Sequence, residues 1–498
     1  MDTAIEQLNH AAALVVPEIV LLGTACLMFL VGPFLVTSDN KADAGLRHRW
    51  GGLALAAIGT AWLLWFNSQP AAAASGGPFT ADALAWFTRG LSLSIGAVLV
   101  LLVWNQVDDA HAAEGHALLL AIIAGTILVA AANDLVAMFL ALELVSIPTY
   151  VILFLLRRGH ENREATIKYF LLSIFSSALV LYGMSWLYGA TGTTNLSGIA
   201  EVYAASEGRA AILHLAFGLL LAGLCFRIAA VPFHFYAPDV FQGVTSSNAA
   251  LLSFIPKVVG FVALVRLLPL AGATNSLALW LPGDGPQFLL AALAVMTMFV
   301  GNLMALRQKN LQRLLAYSSV AHAGYMLVGL SVGNVGAVGG TSAVLFYLTA
   351  YGLMTIGVFA LLRGAGSAER PLVTDADLRG LSSTHPSTAL LLAVCLLSLT
   401  GLPPTAGFLG KLNLFFAAWA ESTWVGWGLA SMLALNAAIA AWYYLRLVAA
   451  MYLESAESSE VRPVELGSWL GGLACAVATL VLFFTPQLLW DVVLRATN

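Results

Sequence analysis

Five ionisable side chains sit in stretches that are otherwise almost wholly apolar. Glu143 lies in ALELVSIPTY, Arg227 in LCFRIAAVPFHFYAPD and Lys257 in LLSFIPKVVG; Lys411 lies in LTGLPPTAGFLGKLNLFF and His322 in AYSSVAHAGYML. A charged group at the centre of a membrane helix costs about 2.5–3.5 kcal/mol on insertion scales, so those that persist mark ion pathways or proton relays. A single Glu–Arg pair could do no more than lock two helices together. Three cations against one carboxylate exceed that role, because the surplus must be hydrated, share a proton or lose one. His322, among Ser, Ala and Tyr, reads equally well as a hydrogen-bonded core residue or as a relay.

Helix breakers accompany the cations. Pro232 follows Arg227 by one helical turn and a half, Pro256 directly precedes Lys257, and Gly401-Leu402-Pro403-Pro404 stands ahead of Lys411. Proline removes an i→i−4 bond and clashes with the facing carbonyl. Membranes accept the exposed backbone only where protein or a watery cavity surrounds it. The apolar run Ser387–Ala420 would make a helix of about 51 Å, against a hydrocarbon core of about 30 Å. It is therefore expected to break at GLPPTAG.

The elements that must position these groups follow from composition. Of the 498 residues 60% are hydrophobic and 10% charged, whereas soluble domains carry about 25% charged residues. About fourteen apolar runs of membrane-spanning length can be laid along the chain, leaving no stretch for a soluble catalytic domain. Lys41, Arg47 and Arg49 fall in the first loop, and Arg157, Arg158, Arg163 and Lys168 in the fifth. Arg307, Lys309 and Arg313 fall in the ninth, and Arg363, Arg370 and Arg379 in the eleventh. The even loops hold little beyond Arg209 and Arg266. Since Lys and Arg mark the cytoplasmic side, odd loops are cytoplasmic and both termini lie outside. The net charge of −4 without a basic stripe argues against nucleic acid. Cys26, Cys225, Cys395 and Cys475 form no CxxC pair, so neither a zinc site nor an iron–sulfur cluster is expected.

The expected fold is an all-α polytopic membrane protein. The most disrupted spans, the seventh and twelfth, have opposite orientation, as in inverted-repeat transporters with discontinuous helices. KYFLL and FYLTAY form a weak internal echo. This divides the chain into an N-terminal three-helix segment (1–115), two five-helix repeats (116–268, helices 4–8, and 287–452, helices 9–13) and a C-terminal helix (464–498).

NDLVAMFLALELVSIPTYVIL, EATIKYFLLSIFSSALVLYG, VPFHFYAPDVFQG, NLQRLLAYSSVAHAGYML, GLPPTAGFLGK and AWYYLRLV, in that order, resemble the antiporter-like subunit N of the proton-pumping NADH:quinone oxidoreductase, complex I. The PFHFYAPDVFQG form is closer to subunit N than to its sister subunits. The resemblance implies that Glu143 is the family's fifth-helix glutamate, Lys257 its eighth-helix lysine and Lys411 its twelfth-helix lysine. Arg227 stands where the family usually has a lysine. Arginine does not deprotonate in proteins, so Arg227 is expected to be a fixed counter-charge, its bidentate fork on Glu143. Protons would rest on Lys257 and Lys411, with His322 and water bridging them and the Glu143–Arg227 pair modulating Lys257. By the same resemblance no cofactor belongs to this chain; NADH, FMN, iron–sulfur clusters and quinone belong to partner subunits. Partners would be other membrane subunits of the complex and the lipid bilayer of a bacterial inner membrane, with both termini periplasmic.

Rival readings are a subunit of a multi-subunit cation/proton antiporter or membrane-bound hydrogenase, a stand-alone secondary transporter, and a structural anchor. A haem-bearing quinone enzyme is a further alternative, with His214, His234 and His322 as axial ligands.

Overall fold

A bilayer core offers no water to backbone N–H and C=O groups, so a chain this apolar must satisfy them within helices. The computed structural model describes residues 9–36, 45–68, 74–155, 159–205, 210–268, 285–333, 338–366, 371–455 and 464–497. Of the loop charges that set the expected orientation, Lys41, Arg157, Arg158, Arg209 and Arg370 lie outside these residues. Among the described residues, twelve helices are long and apolar enough to cross a membrane. Two shorter apolar helices, Ile212–Arg227 and Pro386–Thr400, accompany them.

The chain forms two compact units. The first comprises Met1–Arg227, Val258–Thr274 and Arg495–Asn498. It holds α1 (Val16–Val31), α2 (Leu46–Asn67), α3 (Ala83–Val103), α4 (Ala112–Ala131), α5 (Leu135–Leu155), α6 (His160–Thr191), α7 (Leu196–Ala205) and α8 (Ala210–Arg227). A hairpin of β1 (Ala74–Gly76) and β2 (Phe79–Ala81) precedes α3 and pairs antiparallel, Ser75 opposite Thr80. Helix α4 is buried along nearly its whole length against α1, α3 and α5. Helix α6 is the opposite case: Ile167, Phe170, Leu171, Ile174 and Phe175 are exposed, an apolar face suited to lipid tails or another membrane chain.

The second unit comprises Ile228–Lys257 and Asn275–Leu494. Its helices are α9 (Ala237–Gly243), α11 (Gly285–Leu306), α12 (Leu311–Val332), α13 (Gly340–Ala365), α14 (Leu381–Thr384), α15 (Pro386–Thr400), α16 (Ala406–Ala420), α17 (Trp424–Leu453), α18 (Leu466–Phe484) and most of α19 (Gln487–Thr497). Helix α10 (Ser246–Leu267) gives its first half, with Lys257, to this unit. Pro256 sits inside α10 and does not end it, so the break expected beside Lys257 is absent. A proline removes one hydrogen bond, and the well-packed α10 continues as helix on both sides of it. Elsewhere the chain does leave the helix. Helix α8 ends on Arg227, and a short 3-10 turn, Phe233–Tyr236, leads into α9. The expected long helix Ser387–Ala420 is divided into α15 and α16 by Gly401–Thr405.

Helix α12 is buried from end to end, and its closest neighbour is α11. Two glycines allow the approach. A Cβ on Gly301 would lie 2.5 Å from the backbone nitrogen of Ala321, and one on Gly324 would lie 2.7 Å from that of Met298. The obstacles are backbone atoms, which cannot swing aside, so small residues at this seam are a packing requirement. Gly301→Val is therefore expected to destabilise the protein by about 1–3 kcal/mol, as overpacking does. Thermal denaturation of the detergent-purified protein should show a lower midpoint; an unchanged midpoint would contradict so tight a seam.

Candidate functional site

In the first unit the end of α8 brings Arg227 to α5 and α6. Its Nη2 donates to Glu143 Oε1 at 3.2 Å and to Ser177 Oγ at 3.2 Å. Its Nη1 donates to Ser146 Oγ at 2.7 Å, and Ser177 donates to Glu143 Oε1 at 2.5 Å. The bidentate fork expected on Glu143 is thus not formed; one arm serves the carboxylate and the other a serine. The two side chains also differ in burial, since Arg227 is 6% exposed and Glu143 23%. Glu143 stands beside a strip of exposed apolar residues on α5, Leu140, Ile147, Val151 and Phe154. Within this chain the carboxylate is therefore at an edge.

In the second unit Lys257, His322 and Lys411 gather around the buried helix α12. Lys257 Nζ donates to Ser319 Oγ at 2.6 Å, and the Tyr351 hydroxyl donates to the same oxygen at 2.9 Å. Lys411 Nζ donates to the carbonyls of Leu399 and Thr400, both at 2.8 Å. Those carbonyls end α15, where the last C=O groups lack intrahelical partners and the helix dipole is negative. A lysine from α16 therefore caps the helix on the other side of the break. Gly401, at φ 87°, makes room: a Cβ there would lie 2.9 Å from Lys411 Cδ. Lys257 also lies 5.8 Å from the Tyr351 ring centroid and Lys411 5.1 Å from that of Tyr325, distances at which a π face attracts a cation. Among the described residues neither lysine has a carboxylate partner. Hydroxyls, carbonyls and ring faces solvate them.

His322 bonds neither lysine. Its Nδ1 is 2.6 Å from the Tyr347 hydroxyl and its Nε2 3.1 Å from the Tyr444 hydroxyl. The Tyr444 hydroxyl also meets Ser318 Oγ. Beside them Asn302 donates to Tyr325 Oη at 3.1 Å and accepts from the Tyr443 hydroxyl at 3.0 Å. With both ring nitrogens engaged by phenols, His322 has no free lone pair to offer an iron, which removes the haem reading at that residue. Among the described residues no cluster of His, Cys, Asp or Glu could hold a metal ion.

The hydroxyl groups around His322 are only partly legible in the sequence. Ser318, Ser319 and Tyr325 lie at i−4, i−3 and i+3 of His322, one face of a helix, and that spacing was readable. Tyr347, Tyr351 and Tyr444 come from other helices and carried no comparable signal. A second buried ion pair carries no such signal either. Arg89 on α3 meets Glu18 on α1 at 2.8 Å, the side chains 5% and 1% exposed. Its Nη2 also donates to the Leu14 carbonyl. Arg266, counted with the loops, forks onto Asp82 and reaches the Ala130 carbonyl. Beyond the end of α16, burial holds the half-buried Glu421 carboxyl above the usual carboxylate range.

A polytopic α-helical membrane protein with protein-solvated lysines in its interior is the class that this geometry defines. A family model, described as NADH:quinone oxidoreductase/Mrp antiporter transmembrane, matches residues 132–435. The chain belongs to this family, and curated relatives of it are named NADH-quinone oxidoreductase subunit N. One, from Anaeromyxobacter sp. (strain Fw109-5), is 35% identical over 95% of this chain and 94% of its own. Another, from Trichlorobacter lovleyi, is 38% identical over 92% of this chain and 91% of its own. Among solved structures, a chain of respiratory complex I from Thermus thermophilus with bound aureothin superposes with a TM-score of 0.78 at 31% identity, covering 95% of this chain and 98% of that one. A chain of the Mrp complex from Dietzia sp. DQ12-45-1b superposes with a TM-score of 0.79 at 19% identity, over 96% of this chain and 97% of that one. At that identity the likeness shows a shared fold.

The Glu18–Arg89 pair yields a test of its own. Removing one partner of a buried pair strands a charge and costs about 3–5 kcal/mol, whereas replacing both with apolar groups is often neutral. Arg89→Met is expected to lower the yield of assembled complex on native gels, and Glu18→Leu with Arg89→Met to restore it. Equal loss in both would mean that the pair does more than neutralise itself.

Proposed function

We propose that this chain is a proton-translocating, antiporter-like subunit of an NADH:quinone oxidoreductase in a bacterial cytoplasmic membrane. The observation that carries the reading is the solvation of Lys257 and Lys411 by hydroxyls, carbonyls and rings in place of carboxylates. An amine so placed holds a proton without a fixed anion, so nearby charge can shift its proton affinity. A unit change in pKa needs only 1.36 kcal/mol. Arg227 cannot give up its proton and serves as the fixed charge of the Glu143 pair; protons rest on the two lysines and pass by way of His322, hydroxyls and water. Quinone reduction in other subunits, which hold NADH, FMN, the iron–sulfur clusters and the quinone, supplies the energy.

The same reading takes α8 with α9, and α15 with α16, as the discontinuous seventh and twelfth of fourteen spans, related by two inverted five-helix repeats. Odd loops face the cytoplasm and both termini the periplasm. Glu143, beside an exposed apolar strip, is suited to being covered by a neighbouring membrane subunit, since a carboxylate facing lipid is costly. The Mrp-type antiporter reading rests on a family model that names both kinds of protein and on a shared fold at 19% identity, while the subunit N reading is supported by 31–38% identity over nearly the whole chain.

Two experiments on the intact complex in proteoliposomes test this. Lys257→Met and Lys411→Met are each expected to slow NADH-driven proton translocation by about tenfold or more, the scale of a lost acid–base group. Normal protons per electron in both variants would end the proton-carrier scheme. For the pair, Arg227→Lys should keep most of the translocation and Arg227→Ala should lose it, because only the former keeps a positive charge against Glu143. Equal activity of both variants and the unsubstituted protein would show that the counter-charge is dispensable.

A further inference from the structure

His322 is fully buried, and its two ring nitrogens point at different phenols that belong to different surroundings. Tyr347, on Nδ1, packs against the turn that carries Lys411: a Cβ on Gly410 would lie 2.4 Å from Tyr347 Cδ2. Tyr444, on Nε2, shares its hydroxyl with Ser318, the neighbour of the serine that holds Lys257. The imidazole therefore stands between a hydroxyl beside the Lys411 helix and a hydroxyl bonded to Ser318, next in sequence to the serine that holds Lys257. All these side chains are buried.

A neutral imidazole carries one N–H and one lone pair, so it can donate to only one of the two phenols while accepting from the other. Resting on the proton-translocation reading above, we propose that Tyr347 and Tyr444 are proton-carrying hydroxyls and that His322 passes protons between them by exchanging tautomers. The step balances as follows. The Tyr444 hydroxyl proton moves to Nε2 as the Nδ1 proton moves to Tyr347 Oη. The original Tyr347 hydroxyl proton leaves toward the Lys411 side, ending on a neutral amine, and Tyr444 is reprotonated from the Ser318 side. Each group regains its proton count, one proton has advanced, and all the hydrogen bonds of the chain now point the other way. A second proton cannot follow until ring and hydroxyls reorient. That reset makes the relay discontinuous, as a pump requires, and it avoids a histidinium ion between two lysines.

Filling space and carrying protons are separable roles for a phenol, because phenylalanine keeps the ring and removes only the hydroxyl. Tyr347→Phe and Tyr444→Phe would be made in the full complex, reconstituted into proteoliposomes, and scored for NADH-driven proton translocation in H2O and D2O. Each is expected to slow translocation by about tenfold or more. Fluorotyrosine at position 347 covers the case in which a Phe variant fails to assemble. Its ring is nearly the same size and its hydroxyl more acidic, so it should change the translocation rate and the solvent isotope effect. Unaltered rates in both Phe variants, or an unaltered rate and isotope effect with fluorotyrosine, would overturn the relay. The two proposals fail separately. Loss in Lys257→Met and Lys411→Met with full activity in the tyrosine variants removes the tautomer relay alone, and full activity in all four removes both.

Discussion

An ammonium group in an apolar interior must be solvated by the protein, and much of this architecture is arranged around doing so without an anion. Lys411 shows the device most clearly. Its nitrogen receives the last carbonyls of α15, groups that are unsatisfied because the helix stops there. The break and the charge thus solve each other's problem: an unbroken helix would have no carbonyls to offer, and without the lysine its orphan carbonyls would sit in a dry interior. Gly401, in a left-handed conformation and against the lysine stem, is the residue that lets both be true at once.

Lys257 reaches a similar end by another route. Its helix runs on through Pro256, so no terminal carbonyls are available, and a serine hydroxyl with a tyrosine ring takes their place. Arg227 differs again, because it is paired. Its charge is permanent, and it is held by one carboxylate oxygen together with the Ser146 and Ser177 hydroxyls. Three cations thus have three solvation shells, and chemistry follows the shell. Neutral dipoles leave a lysine's proton negotiable, while a carboxylate beside a guanidinium leaves only geometry to change.

The membrane class and the family were legible in the sequence because both depend on features that one chain displays alone. Sparse charge forces helices, and the order of motifs such as AYSSVAHAGYML and GLPPTAGFLGK is specific. Lys257, His322 and Lys411 stood out as exceptions to an apolar background, and the structure places all three around α12. Their partners were less legible. Tyr347 and Tyr444 reach His322 from helices 25 and 122 residues away in sequence, and an aromatic in an apolar run looks like core wherever its hydroxyl points. Pro256 misled in the other direction, since proline predicts a break only where packing does not hold the helix. Glu18 and Arg89 lie 71 residues apart, and nothing in the local sequence of either marks the other as its partner.

Tyrosine is the residue type that reconciles these demands. Its ring fills an apolar core, its face attracts a cation, and its hydroxyl both donates and accepts. Five tyrosines, Tyr325, Tyr347, Tyr351, Tyr443 and Tyr444, are among the largest fully buried side chains of the protein, and each makes a hydrogen bond within the second unit. A carboxylate in place of Tyr351 or Tyr325, the two whose rings face a lysine, would pair with the ammonium group. A phenylalanine would leave serine and histidine polar atoms unsatisfied, at a cost of about 1–3 kcal/mol each. Neutral hydroxyls alone keep the interior dry enough to pack, polar enough to hold a charge, and uncommitted as to where that charge rests.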